Sequence, residues 1–329
     1  TDTARNGADA IEKIKRLRPD IITMDIEMPG MDGLTALRQI MRECPTPTLM
    51  CSSLTKAGSH QALQAMRLGA ADVIVKPGGA GTGDVNAMRD ELVGKIKAIG
   101  GRRGMAEAKR APSIAARTRI PSLRRDAFEL ALIGSSTGGP PALEQVLVRL
   151  PADMAVPVVV AQHMPALFTR SMSERLDASS ALTVVHGENG MPLFPGAVYI
   201  AEGGKHTHIV RESGGLLHLR VDDEPGSESR RPSVNVLFST GAAAGGGRTL
   251  GVVLTGMGED GLRGAREIHA RGGMVLAQNE ATSVVYGMPK AIAAAGLAAA
   301  SLSPEEIGRA LAQLSPTAAP ATLPLEQAG

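Results

Sequence analysis

Apolar positions in the N-terminal part of the chain follow two alternating patterns. Short apolar runs at residues 20–25, 48–51 and 72–75 predict buried β-strands. Around them, apolar residues recur at helical spacing in four segments, residues 8–17, 34–42, 60–68 and 85–99. Strands that alternate with helices are typical of βα units on a parallel sheet. The pattern therefore predicts a first α/β domain over residues 1–100.

A second, larger α/β domain is predicted over residues 129–315. Between residues 100 and 125 the regular pattern stops, and eight Lys or Arg residues stand against the single acid Glu107. We interpret residues 101–128 as a basic flexible linker. Beyond it we predict strands at residues 130–133, 156–161, 198–201, 251–254 and 274–277, helices at residues 141–150, 167–176, 234–244 and 262–270, and a β-hairpin at residues 207–210 and 216–221.

The predicted fold class is thus α/β, with two doubly wound parallel-sheet domains, the second of which carries a β-hairpin. The last residues, 316–329, are rich in Pro, Ala, Thr and Leu and are predicted to be a disordered tail.

Composition narrows the class of protein. The chain of 329 residues has a formal net charge of +2, and aromatic residues make up 2% of it with no Trp, which disfavours a nucleic-acid partner. The longest apolar run, residues 291–300, is about half of what a membrane-spanning helix needs, so no membrane insertion is expected. Cys44 and Cys51 match no zinc or thioredoxin spacing, and two free thiols indicate a reducing, cytoplasmic location.

Polar side chains end three neighbouring strands of the first domain. Asp25 ends the first predicted strand, Ser52 follows the second, and Lys76 follows the third. Because the carboxyl ends of parallel strands meet at one edge, we expect these three groups to lie together. A carboxylate, a hydroxyl and an ammonium group suit phosphoryl transfer to the carboxylate. The alternative is structural: Asp25 caps a loop and Lys76 is a solvated strand end.

The motifs around these residues, IEMPGMDGL, SSLT and KPG, resemble the receiver domain of two-component response regulators, in the branch of the chemotaxis methylesterases. The resemblance implies a flavodoxin-like fold with Asp25 as phosphoacceptor, Ser52 as switch hydroxyl and Lys76 as phosphate-binding lysine. It also implies Mg²⁺ held by an acidic pair on an opening strand. The resemblance starts only at residues 3–7, so we expect an N-terminally incomplete receiver, without that strand, its helix and its metal ligands.

A serine in the second domain lies on a predicted strand–turn–helix. Residues 134–138, GSSTG, fit the G-x-S-x-G pattern of a tight turn that exposes a nucleophilic serine, Ser136, near the N–H groups of a helix N-terminus. The spacing does not match G-x-G-x-x-G, and no Lys follows as a phosphate-binding loop would require. A glycine turn without chemistry is the remaining alternative.

A serine nucleophile needs a base and an orienting acid. His163 follows the strand at residues 156–161, and Asp260 follows the strand at residues 251–254, so both side chains are predicted at the same sheet edge as Ser136. His206 and His208 form an H-x-H pair that suggests metal binding, but no nearby Cys or carboxylate in the sequence completes a site.

The motifs IGSSTGGP, AQHMP, FTRSM, PGAVYIA, RRPSVNVLF, LTGMGEDG and AQNEATSVVYGMPK resemble the catalytic domain of the protein-glutamate methylesterases of bacterial chemotaxis. The resemblance implies Ser136 as nucleophile, His163 as general base and Asp260 as orienting acid, with the backbone N–H groups of Thr137 and Met257 facing the oxyanion. One departure is Asn235, where the family often has Asp.

The function that this resemblance implies is hydrolysis of glutamate γ-methyl esters on methyl-accepting chemoreceptors, without a catalytic cofactor, together with deamidation of receptor glutamines. A chemotaxis histidine kinase is the implied phosphodonor of the receiver. Two alternatives stay open at this stage: a generic small-ester serine hydrolase, and a response regulator whose output domain only binds a partner.

Overall fold

A computed structural model of the chain describes residues 1–76, 85–101, 120–224 and 228–316. Most of the predicted linker (residues 102–119) and nearly all of the predicted tail (residues 317–329) lie outside these described residues. In the parts of the chain that are described, no helix is long and apolar enough to cross a membrane.

The N-terminal domain is a parallel α/β unit, as the sequence predicts. Its three described strands pair in the order β1-β2-β3, and all pairs are parallel. Three helix starts follow from side-chain caps, since Asn6, Asp32 and Thr55 each accept a hydrogen bond from the backbone N–H three residues on. The elements are α1 (Gly7–Leu17), β1 (Ile22–Asp25), α2 (Gly33–Glu43), β2 (Thr48–Ser52), α3 (Lys56–Arg67), β3 (Asp72–Val75) and α4 (Val85–Gly100).

The C-terminal domain is built on a seven-stranded parallel sheet with strand order β12-β11-β10-β4-β5-β7-β6. Strands β8 and β9 form a separate antiparallel hairpin, which confirms the predicted one. The elements are β4 (Leu130–Ser135), α5 (Gly139–Leu147), β5 (Val158–Gln162), α6 (Ala166–Ser179), β6 (Thr183–His186), β7 (Ala197–Ile200), β8 (His206–Arg211), β9 (Leu217–Asp222), α7 (Val234–Gly245), β10 (Thr249–Val253), α8 (Leu262–Ala270), β11 (Met274–Gln278), α9 (Met288–Ala294), β12 (Ala300–Leu302) and α10 (Pro304–Ala312).

Four of these elements were not predicted. Strands β6 and β12 have four and three residues and lie at the two edges of the sheet, where short runs carry little apolar signal. Helix α9 has seven residues, too few for a helical period to stand out. The start of helix α10 could have been predicted from the sequence, because Ser303 and Glu306 form a capping box.

The two faces of the central sheet pack into different apolar clusters. In β4, Leu130 and Leu132 contribute to the cluster under α7 and α8, whereas Ala131 and Ile133 contribute to the cluster under α5, α6 and α10. This alternation is the period of two that a strand buried on both faces requires. It makes β4 a fully buried central strand, so the residues that follow it start from a fixed position.

Strand β4 is also the place where the strand order reverses. From β4 the chain builds the sheet outward through β5 on one side and later through β10 on the other. In open α/β sheets the crevice for a ligand lies outside the carboxyl ends of the strands at such a switch point. The fold therefore predicts a ligand site at the turns that follow β4, β5 and β10.

The two domains are in contact through α3 and α6. The hydroxyls of Ser59 and Ser171 lie 2.7 Å apart in this buried interface. Arg175 of α6 donates to the backbone carbonyl of Leu63 at 2.9 Å and pairs with Glu144 of α5. Because Leu63 belongs to the N-terminal domain and Arg175 to the C-terminal one, the hydrogen bond between them joins the two domains.

Candidate active site

Ser136 lies on a tight turn between β4 and α5. Gly138 has a φ of +77°, which favours glycine, and a Cβ on Gly139 would lie 1.9 Å from Oε1 of Gln162. The carbonyl of Ser136 accepts hydrogen bonds from the Gly139 N–H at 2.8 Å and from Nε2 of Gln162 at 2.9 Å. Gly138 is therefore favoured by its backbone conformation, and Gly139 is required because Gln162 leaves no room for a side chain. The turn that they form holds Ser136 at the sheet edge.

The carboxyl end of β10 reaches the same turn. The N–H of Ser136 donates to the carbonyl of Thr255 at 3.0 Å, and a Cβ on Gly256 would lie 2.8 Å from Cβ of Ser136. The loop that continues through Met257 to Asp260 thus begins beside the serine.

His163 follows β5 and is joined to Asp260. Its N–H donates to the carbonyl of Ser135 at 3.1 Å, and its Nε2 lies 2.8 Å from Oδ2 of Asp260. Both side chains are 10% exposed. Because Nε2 is engaged by the carboxylate, Nδ1 is the ring nitrogen left for exchange with a substrate or a hydroxyl. His163 and Ser136 line one cleft of about 400 Å³.

The carboxylate of Asp260 is held by the start of α7. Its Oδ1 accepts from the hydroxyl of Ser233 at 3.1 Å and from the N–H of Asn235 at 2.9 Å, and its Oδ2 accepts from the N–H of Val234 at 2.8 Å. Burial by itself raises the pKa of Asp260, but the bonds from His163 and from these backbone groups outweigh it and hold the pKa below the ordinary value. The carboxylate is therefore ionised at neutral pH.

Asn235 has a second task that the sequence did not reveal. Its side-chain oxygen accepts from the N–H groups of Gly261 at 3.0 Å and Gly264 at 3.1 Å, so it caps α8 from the neighbouring helix. Its amide nitrogen lies 3.4 Å from a carboxylate oxygen of Glu228. Asn235 thereby fixes the residues that directly follow Asp260. The motif RPSVN marked the position, but only the contact between α7 and α8 shows what it does.

Thr137 and Met257 line the same cleft as Ser136. The carbonyl of Thr137 accepts from the hydroxyl of Thr255 at 2.9 Å, which orients that peptide unit. Within the described part of the chain, neither the Thr137 N–H nor the Met257 N–H donates a hydrogen bond. Two free N–H groups beside a serine are the donor type that stabilises an oxyanion.

In the N-terminal domain the structure brings Asp25 and Lys76 together. Strand β1 is in register with β2 so that Asp25 lies beside Cys51, and the ammonium of Lys76 contacts the Asp25 carboxylate. The hydroxyl of Ser52 is turned toward α3, where it donates to the carbonyl of Gly58 at 3.0 Å.

Among the described residues, those that surround this edge do not form a magnesium site. Over residues 1–76, 85–101, 120–224 and 228–316, no three His, Cys, Asp or Glu side chains are grouped so that they could hold a metal ion. The described residues therefore do not fit the Mg²⁺ that the receiver resemblance implies.

The structure corrects one reading of the histidine pair. The sequence places no carboxylate near His206 and His208, but the hairpin register brings Asp222 to 3.1 Å from Nε2 of His208. His206 is itself buried at 3% exposure. Within the described ranges this trio is not a metal-binding group either.

The N-terminal domain covers the cleft that contains Ser136. Asp72 of β3 and Glu91 and Lys95 of α4 also line this cleft. A Cβ on Gly94 of α4 would lie 3.3 Å from Cε of Met257, so α4 passes directly over the loop beside Ser136. Burial opposes the charge of Lys95, but the carboxylates of Asp72 and Glu91 raise its pKa above the ordinary value. A charged cluster of the receiver domain thus lines the same cleft as Ser136.

Comparison with known proteins agrees with both halves of this description. Residues 131–311 match the CheB methylesterase family, and residues 1–82 match the response regulator receiver domain. A protein-glutamate methylesterase/protein-glutamine glutaminase 1 of Oleidesulfovibrio alaskensis is 44% identical, over 94% of this chain and 90% of that protein. A protein-glutamate methylesterase/protein-glutamine glutaminase of Geobacillus kaustophilus is 43% identical, over 95% of this chain and 90% of that protein.

A solved structure supports the fold of the larger domain. The crystal structure of the Thermotoga maritima CheB methylesterase catalytic domain has 38% sequence identity and a TM-score of 0.55, and the match covers 57% of this chain and 98% of that one. The fold class and the family predicted from the motifs are both confirmed: this chain belongs to the CheB methylesterase family and carries a response regulator receiver domain at its N-terminal end.

Proposed function

We propose that this chain hydrolyses glutamate γ-methyl esters on chemoreceptor helices and deamidates glutamines there, as a response regulator of adaptation in the cytoplasm. The observation that carries the proposal is the convergence of Ser136, His163 and Asp260 from the ends of β4, β5 and β10, with His163 and Asp260 2.8 Å apart. The names of the similar enzymes supply the substrate class.

In the proposed reaction, Oγ of Ser136 attacks the ester carbonyl while Nδ1 of His163 takes the hydroxyl proton. The ionised Asp260 stabilises the imidazolium and fixes the ring. The N–H groups of Thr137 and Met257 face the oxyanion, each worth about 10²–10³-fold in rate. Return of the proton to the leaving oxygen releases methanol and leaves an acyl-enzyme. Water, activated by His163, then releases the glutamate and restores Ser136. A glutamine follows the same route and releases ammonia.

The receiver domain is proposed to restrain this activity, since α4 covers the cleft. Phosphorylation of Asp25 by a histidine kinase would place three acceptor oxygens beside Lys76 and the Ser52 hydroxyl. Recruitment of Ser52 breaks its bond to the Gly58 carbonyl in the first turn of α3. Ser59, the residue after Gly58, forms a hydrogen bond with Ser171 across the domain interface. A shift of Gly58 would therefore disturb the contact that keeps the receiver domain over the cleft.

The first prediction tests the serine mechanism by methanol release from methylated receptor membranes. Ser136→Ala and His163→Ala should each remove nearly all activity, and the double change should add little, because the two groups act as one unit. Asp260→Asn should be damaging to a smaller extent, since Asp260 orients rather than reacts. Ser213→Ala, an exposed serine in the hairpin turn, serves as the control. Wild-type turnover by Ser136→Ala would contradict the assignment.

A further inference from the structure

The two domains contribute different charges to the cleft lining. On the side of the larger domain, apart from His163, the charged lining residues are Arg230 and Arg231. The receiver domain contributes Lys95 and both carboxylates of the lining, Asp72 and Glu91. The larger domain therefore contributes a cationic wall, Arg230 and Arg231, to the cleft that Ser136 also lines.

The two arginines of this wall are not neutralised. Arg231 donates to the backbone carbonyls of Asp223 at 3.1 Å and Glu224 at 3.5 Å, which orient the guanidinium without cancelling its charge. Arg230 is exposed. Among the described residues, no carboxylate lies within ion-pair distance of either. By contrast, five other arginines in the described part of the larger domain have carboxylate partners: Arg175, Arg211, Arg220, Arg248 and Arg263.

The receiver contributes the carboxylates of the cleft lining. Glu91 belongs to α4, and both Glu91 and Asp72 lie 2.9 Å from the single ammonium of Lys95. Two carboxylates beside one cation leave a net negative charge on this part of the receiver. The cleft lining thus combines a receiver cluster of net negative charge with two arginines of the larger domain that have no ion-pair partner among the described residues.

We propose that Arg230 and Arg231 bind carboxylates that flank the methyl ester on the substrate helix. The inference rests on the proposed function, because it assigns a recognition role within that active site. Arg230 and Arg231 are specificity-determining residues in this reading, and they select esters carried on an acidic helix. Hydrolysis converts a neutral ester into a carboxylate. Each turnover therefore adds a negative charge to the substrate helix and strengthens its attraction to Arg230 and Arg231.

The test uses the full chain and two synthetic helical peptides of equal length. Each carries one glutamate γ-methyl ester at its centre, with either Glu or Ala four residues before and after it, so that the flanking groups share a helix face with the ester. Methanol release gives kcat/KM for each peptide. The ratio of the two values cancels any change in how often the receiver uncovers the cleft, because both peptides report on the same enzyme.

The wild type should prefer the Glu-flanked peptide by about fivefold, the scale of an exposed ion pair. Arg230→Ala should bring the ratio close to one, and Arg230→Glu should reverse it. Arg266→Ala, which removes an exposed arginine outside the cleft lining, should keep the wild-type ratio. The preference should also shrink as salt is raised.

An unchanged ratio in Arg230→Glu, or a wild type without preference, overturns the inference while leaving the proposed function intact. A wild type that cleaves neither peptide in a Ser136-dependent way contradicts the proposed function, and the inference is refuted with it.

Discussion

The carboxylate of Asp260 accepts hydrogen bonds from Ser233 and from two backbone N–H groups at the first turn of α7, in addition to its contact with His163. A helix N-terminus favours negative charge, because its N–H groups lack partners inside the helix. Asp260 therefore stabilises α7 and orients His163 with the same two oxygen atoms. A change at this residue is expected to affect the stability of the chain as well as its catalytic rate.

The second prediction concerns the pH dependence of this stability. The folded pKa of Asp260 lies below its ordinary value of 3.8, so its contribution is fully present above pH 3.8 and is lost as the pH falls through the lower folded pKa. Asp260→Asn should cost about 2–3 kcal/mol at neutral pH, the scale of lost hydrogen bonds to a charged group. Urea unfolding should show the two proteins converging below pH 3.8. Asp20→Asn, at an exposed position, is the control and should keep wild-type stability at neutral pH. A gap for Asp260→Asn that stays constant with pH would contradict the linkage.

The third prediction concerns Asn235, whose side-chain oxygen caps α8. Asn235→Ala leaves the N–H groups of Gly261 and Gly264 without their acceptor, and we expect a loss of about 0.5–2 kcal/mol of stability. Because these residues follow Asp260, kcat should fall as well. Asn235→Asp keeps the acceptor and should restore most of both quantities, although its charge faces Glu228. Equal kcat in all three proteins would show that the cap does not position the site.

At the scale of elements, the packing of helix α4 against the Met257 loop depends on the small size of Gly94. Among the described residues, the atoms that a Cβ on Gly94 would approach within 4 Å are Cε and Sδ of Met257, at 3.3 and 3.4 Å. A larger side chain requires α4 to move away from the cleft. The receiver side of the interface can thus be perturbed without any change in the candidate active-site residues.

The fourth prediction is that Gly94→Leu raises the demethylation rate measured without a phosphodonor. The substitution favours the helix by roughly 1 kcal/mol, so the receiver domain itself should stay folded. Gly94→Ala is the matched control, since its Cβ would lie 3.3 Å from the flexible end of Met257 and requires only a small shift. An unchanged or lower rate for Gly94→Leu would contradict the idea that α4 covers the site.

At the scale of the whole molecule, the two domains share one apolar cluster. Ala62, Leu63 and Met66 of α3 belong to the same buried cluster as Phe168 and Met172 of α6. Just before the larger domain, the chain is anchored to it: Gln313 bonds both the carbonyl of Pro121 at 3.2 Å and the N–H of Leu123 at 3.1 Å. A truncation that removes the receiver should therefore retain residue 120 onward.

The fifth prediction is that deletion of residues 1–119 raises basal esterase activity on methylated receptor membranes, because the cover over Ser136 is removed. The same deletion with Ser136→Ala should be inactive, which separates true turnover from background. Size-exclusion chromatography should accompany the assay, since the apolar face of α6 is newly exposed. A lower or equal rate in a monodisperse sample would indicate that the receiver docks substrate and does not restrain the enzyme.

Several features of the site could be predicted because their signals are local. Ser136, His163 and Asp260 each follow a short apolar run, and parallel strands bring their carboxyl ends to one edge. The structure places Ser136 and His163 in one cleft and Asp260 against the histidine ring. The same argument brought Asp25 and Lys76 together, whereas the Ser52 hydroxyl turns to Gly58, a rotamer that no spacing encodes.

By itself, then, the sequence determined the α/β fold class and the family, and it predicted the candidate reactive side chains, because periodicity and motif spacing are properties of neighbouring residues. Only the tertiary structure decided how Asn235 and the start of α7 hold the Asp260 loop, since those contacts join residues 25 to 29 positions apart. It also decided that α4 packs against Met257 and that Glu91 lines the same cleft as Arg230. Those contacts depend on how two separately folded surfaces meet, and no local pattern carries that information.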